Sequence, residues 1–202
     1  MAVRSVFHEG HASGDVDCAI MPYCPLDDGC LISLWDAWNR FMRSIYLGSA
    51  AGPTSGIGGQ HYTPTQPRDE SECLRVLVLA AGQKGSGITI SAGEPKWFVV
   101  SSVYAIATSL ELPNATAIAN AVTQNTIQVD SGDRIDNPVE EIRAFRNYVA
   151  HKSHAEASRL RAFMSSGDSD LSDHMHEKAR GGVTRFDDWV DGLIGLAWDA
   201  AL

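Results

Sequence analysis

The chain has 202 residues, 44% of them apolar and 20% charged, and carries a formal net charge of −9. That length and balance fit a globular chain with a sizeable core, most simply one domain spanning residues 1–202. They argue against a protein that coats duplex nucleic acid, where Lys and Arg dominate affinity.

Residues 1–26 read as loop, with scattered Gly, His and Pro. They lack the basic, apolar and small-residue order of a signal peptide, so a cytoplasmic location is expected. Cys18, Cys24 and Cys30 recur every six residues near His8 and His11, with Cys73 farther on. Structural zinc sites usually pair cysteines about two to four residues apart, so free thiols are the simpler reading and no metal is assigned.

A helix is predicted from Asp27 or Asp28 to Ala50, because Leu31, Leu34, Trp35, Trp38, Phe41, Met42 and Ile45 form an i, i+3, i+4 stripe. Gly52-Pro53 stops it, and residues 52–68 read as a long surface loop. Glu70 to Ala81 allows helix or strand; the acidic start at Asp69, Glu70 and Glu72 favours helix. The turn Gly82 to Gly87 lacks the Gly-Lys-Ser/Thr ending of a phosphate-binding loop.

Pro95 to Leu112 reads as a buried helix with Pro near its start. Trp97 to Leu112 is the nearest approach to a membrane span, but it is shorter than the roughly 20 apolar residues needed and serines and threonines interrupt it. Asn114 to Gln124 reads as a short Ala-rich helix, and residues 165–182 as a polar connection. A C-terminal helix over about 184–200 has Thr184 as its cap and Asp187 three residues on, and should bury Phe186, Trp189, Leu193, Leu196 and Ala197. Four or five helices with little strand signal predict an all-α bundle.

The segment with most chemistry is Glu140 to His154, E-E-I-R-A-F-R-N-Y-V-A-H-K-S-H. Asn137 suits an N-cap, Pro138 the first helical position, and Glu140 the third position of a capping box. On a helical wheel Ile135, Val139, Ile142, Phe145 and Val149 form an apolar face. Glu140, Arg143, Asn147, His151 and His154 share a polar arc. Arg146 projects from the margin of the apolar face, where a guanidinium must snorkel, pair with a carboxylate or meet a phosphate.

These residue types suit RNA cleavage. RNA carries its own nucleophile, the 2′-OH. A base must take that proton, an acid must protonate the leaving 5′-oxygen, and positive charge must steady the phosphorane-like transition state. Histidine serves the proton transfers and arginine the phosphate. His151 and Arg146 are the candidates, with Asn147 orienting the histidine or binding phosphate. Arg143 and Lys152 are candidate substrate-binding cations. Arg40 and Arg43 of the first helix can line the same cleft, although a solvated face is the simpler account.

The arrangement Arg-Asn-x-x-x-His resembles the motif of the HEPN superfamily, the higher eukaryotes and prokaryotes nucleotide-binding domains. The segment L-W-D-A-W-N-R-F-M-R-S-I-Y-L-G-S-A is also similar to the first helix of related bacterial proteins. The resemblance implies a HEPN-like bundle and a metal-independent endoribonuclease without cofactors, of the toxin or phage-defence kind. It further implies a homodimer that brings two arginines and two histidines into one cleft, and an antitoxin or sensor protein as partner. A non-catalytic RNA- or protein-binding member is the alternative. In HEPN toxins controlled by adenylylation, a tyrosine often lies two residues after the histidine. Ser153 stands there in this chain and Tyr148 lies inside the motif, so that control is not implied.

Overall fold

The computed structural model describes residues 25–55, 59, 61–80, 95–122, 126–128, 134–164, 170–176 and 182–201. Among these, eight helices and two short antiparallel ribbons are present. The described residues are predominantly helical, as the periodicity predicts. They form eight helices where four or five are expected, because short helices such as His154–Leu160 and Leu171–His176 occupy segments without a long apolar stripe.

Helix α1 (Pro25–Ala51) buries Leu31, Trp35, Trp38, Met42, Tyr46 and Ala50, the spacing of one continuous face. Leu34, Phe41 and Ile45 pack at the edge of that face. The Tyr46 hydroxyl donates to the Val103 carbonyl oxygen at 2.6 Å, tying α1 to α3 (Val100–Ser109). Burial raises the Tyr46 phenol well above its ordinary pKa, which keeps it a donor.

Part of the expected 52–68 loop forms a ribbon, β1 (Thr54–Ser55) against β2 (His61–Tyr62). Helix α2 spans Glu70–Ala80, resolving the helix-or-strand ambiguity in favour of helix. Asp69 caps it by accepting from the Ser71 hydroxyl at 2.7 Å and the Glu72 amide at 2.9 Å, bonds that lower its carboxyl pKa.

Helix α3 begins at Val100, five residues later than the sequence predicts. Trp97 is fully buried and packs on Tyr46 with ring centroids 5.2 Å apart. Residues 95–99 turn to seat that indole instead of continuing the helix, so tertiary burial overrides the proline start signal. Helix α4 (Ala115–Val122) follows as expected. A second ribbon, β3 (Thr126–Gln128) with β4 (Arg134–Asp136), places Ile135 in a strand, where it is nevertheless fully buried.

Four helices complete the fold: α5 (Pro138–His151), α6 (His154–Leu160), α7 (Leu171–His176) and α8 (Arg185–Ala201). The capping box of α8 forms as predicted: Asp187 accepts from the Thr184 amide at 2.9 Å, and the Asp187 amide donates to the Thr184 hydroxyl at 3.2 Å. Helix α5 packs against α1, α6 and α8, and one hydrophobic cluster runs from Leu31 to Leu196. No described helix is long and apolar enough to cross a membrane.

Candidate active site on helix α5

Helix α5 starts at Pro138, as its fixed φ favours, but the cap differs from expectation. Asn137 adopts a left-handed conformation (φ 50°, ψ 54°) and makes no side-chain cap hydrogen bond. Glu140 is drawn forward to Arg143, accepting from its Nε at 2.7 Å, so no capping box forms. At the other end Lys152 is left-handed (φ 47°, ψ 35°) and its amide donates to the Tyr148 carbonyl at 2.7 Å, which ends the helix at His151.

Ser153 then turns extended and caps α6, accepting from the Glu156 amide at 3.3 Å. His154 therefore belongs to a separate helix, and the polar arc of α5 stops at His151. A left-handed C-cap at Lys152, followed directly by the N-cap Ser153, breaks a periodicity that looks continuous on a wheel.

The apolar face of α5 buries Val139, Ile142, Phe145 and Val149 as predicted. Glu141 is also buried, with 1% of its surface exposed. Its carboxylate accepts from Arg185 at 2.9 and 3.1 Å through both oxygens, and lies 3.3 Å from His174 Nε2. The His174 ring stacks on Phe145, centroids 4.8 Å apart at 12°, and Trp189 packs against both rings, 5.1 Å from Phe145 and 5.9 Å from His174.

Glu141 is one of two adjacent acids in the first turn of α5, and residues 165–182 read as a polar connection, so the sequence gives no sign of this cluster. A signal for α7 is present: Asp170 accepts from the Asp173 amide at 2.8 Å as a cap, followed by the buried pair Leu171 and Met175.

Of the predicted site residues, Arg146 and Asn147 are joined: Arg146 Nη1 donates to Asn147 Oδ1 at 3.3 Å. Both are half-buried, and Arg146 Nε is fully covered without a hydrogen-bond partner. Among the described residues Arg146 meets no carboxylate. His151 is exposed one turn beyond Asn147, about 6 Å along the axis. Lys152 is exposed at the α5–α6 corner, where its charge acts on Asp28 of α1 and partly offsets the rise that burial gives that carboxyl.

Arg143 lies one turn toward the N-terminal end of α5. Its guanidinium sits over the Phe98 ring at 4.4 Å and is paired with Glu140, a bond that strengthens its hold on the proton. Arg40 is exposed and Arg43 half-buried on α1. Cys18 and Cys24 lie outside the described residues, and Cys30 is a half-buried free thiol. Among the described residues no three His, Cys, Asp or Glu side chains are grouped as metal ligands.

Comparison with protein-family models, curated proteins and solved structures finds no match to this chain.

Proposed function

We propose that this chain is a metal-independent endoribonuclease of the HEPN type, a toxin or phage-defence effector acting as a homodimer. The observation that carries this reading is Arg146: a half-buried guanidinium, steadied by Asn147 and without a carboxylate among the described residues. A structural arginine at such a margin would ordinarily be neutralised by Asp or Glu, as Arg143 and Arg185 are. An arginine left with donors to spare suits a phosphate.

In the reaction, His151 and its counterpart in the second copy divide the two proton transfers. One removes the 2′-OH proton as the 2′-oxygen forms its bond to phosphorus. The other gives a proton to the 5′-oxygen as the P–O5′ bond breaks. Arg146 stabilises the negative charge on the non-bridging oxygens. The products are a 2′,3′-cyclic phosphate and a 5′-hydroxyl.

The acidic residues of α5 do not suit an ion shared with His151. Glu141 is committed to Arg185 and His174, and Glu140 is roughly 16 Å along the axis from His151.

Labelled RNA, the matching DNA and an RNA with a 2′-deoxy cleavage position, each incubated in EDTA, test the chemistry. Only the RNA is expected to be cut. Loss of RNA cleavage in EDTA, or comparable cutting of the deoxy substrate, rejects the mechanism. RNA binding without cleavage would identify a non-catalytic member instead. Light scattering is expected to give twice the chain mass of 21.8 kDa at micromolar concentration; a stable monomer contradicts the two-copy site.

A further inference from the structure

A shallow groove of about 600 Å3 opens beside the motif, between the N-terminal half of α5, the end of α6 with the turn at residues 161–163, and the turn at residues 95–99. Its walls carry three cations, Lys96, Arg143 and Arg159, against one acidic side chain, Glu140. Glu156 pairs with Arg159 at 2.7 Å from outside this lining. With Glu156 counted, three positive charges stand against two negative ones, a small local excess in a chain of net charge −9.

Two aromatic rings, Phe98 and Phe163, line the same groove and are only partly buried. One wall is fixed in place: Trp35 of α1 meets Phe98 at 6.2 Å, and Phe98 carries the Arg143 guanidinium at 4.4 Å. Glu140 holds that guanidinium from the side, so Arg143 serves as part of a planar platform more than as a mobile cation. Lys96 and Arg159 are exposed, the latter with 58% of its side chain accessible.

We propose that this groove is a binding site for single-stranded RNA, seating a nucleobase among Phe163, Phe98 and Arg143 and the adjoining phosphates on Lys96 and Arg159. A groove lined by both aromatic rings and cations suits the base and phosphate of a single strand, and stacking tolerates any base. An acidic peptide would satisfy the cations and leave the rings unused.

The site rests on the RNA-cleaving reading and adds to it a substrate-positioning platform. Arg143 stands about 12 Å along α5 from His151, so the groove holds RNA beside the scissile phosphate and not at it.

The test uses the full chain and a fluorescent 2′-O-methyl single-stranded RNA, which lacks the free 2′-OH and stays intact. Its affinity is measured by anisotropy at several salt concentrations. Circular dichroism checks each variant's fold, and cleavage of ordinary RNA by the wild type is followed in parallel.

Removing both cations, Lys96→Ala with Arg159→Ala, is expected to weaken binding and to reduce the slope of log K against log salt by about 1.4, or about 0.7 per lost phosphate contact. Phe163→Leu keeps apolar bulk but removes the ring, and is expected to cost roughly 5- to 150-fold in affinity.

Wild-type affinity and salt slope in the double variant overturn the groove as an RNA site, even where the wild type cuts RNA. Failure of the wild type to bind the probe also overturns it, and ordinary cleavage then shows that the nuclease reading survives alone. Unchanged affinity in Phe163→Leu, or displacement of RNA by polyglutamate as readily as by unlabelled RNA, overturns the base-stacking assignment.

Discussion

His151→Ala is expected to lower metal-free RNA cleavage by about 10²–10⁴-fold, the usual contribution of a positioned acid or base. The same change should leave stability within roughly 0.5 kcal/mol, because the imidazole is exposed at the end of α5 and makes no hydrogen bond to a described residue. Arg146→Ala is expected to be similarly inactive, since it removes the charge proposed to stabilise the phosphate. Asn147→Ala should be milder, because Asn147 only steadies Arg146 through one long 3.3 Å contact. Initial rates on a labelled RNA, read beside thermal melts, separate catalytic loss from unfolding. A His151→Ala protein that cuts RNA at the wild-type rate would remove the catalytic assignment.

Glu141→Ala is expected to produce the opposite pattern, a large loss of stability from a residue outside the chemistry. Glu141 is the acceptor that joins α5 to Arg185 at the start of α8 and to His174 of α7. Its removal leaves a stranded cation and a buried imidazole at the centre of the Phe145–Trp189 cluster. Breaking a buried ion pair costs about 3–5 kcal/mol, and the 26% exposure of the Arg185 side chain favours the lower end. For a chain of this size, 3 kcal/mol corresponds to a fall in Tm of roughly 6–12 °C. Glu141→Gln keeps a hydrogen-bond acceptor and should fall between wild type and the alanine variant. A melt of Glu141→Ala within about 2 °C of wild type would show that this cluster does not hold the three helices together.

Glu141 also has a neighbour that looks like it in the sequence and differs from it in the structure. Glu140 and Glu141 are adjacent acids in the first turn of α5, and the helix dipole explains both equally well. The structure gives them different partners. Glu140 holds Arg143 at the groove, whereas Glu141 is buried under α7 and α8. Adjacent residues on a helix point about 100° apart, so one can face solvent while the next enters the core.

What the sequence determined by itself is what neighbouring residues settle within a few turns. The stripe from Leu31 through Trp38 to Met42 has one helical period, and α1 follows it. Thr184 and Asp187 cap α8 because both partners lie in one turn. Arg146, Asn147 and His151 are legible as a group because a single helix carries them, and Pro138 marks its start.

The tertiary structure decided what depends on distant partners. Trp97 delays α3 because Tyr46, 51 positions earlier by number, offers the surface that buries its ring. The break after His151 needs Lys152 to accept a left-handed conformation and Ser153 to cap a new helix, a choice the wheel does not register. The Glu141 cluster spans separations of 33 and 44 residues, so neither periodicity nor capping announces it. The groove draws Lys96, Arg143 and Arg159 from three segments, and chain folding alone brings their charges together. Local hydrogen bonds and periodicity fix helices; burial and long-range electrostatics select which helix ends, cations and carboxylates meet.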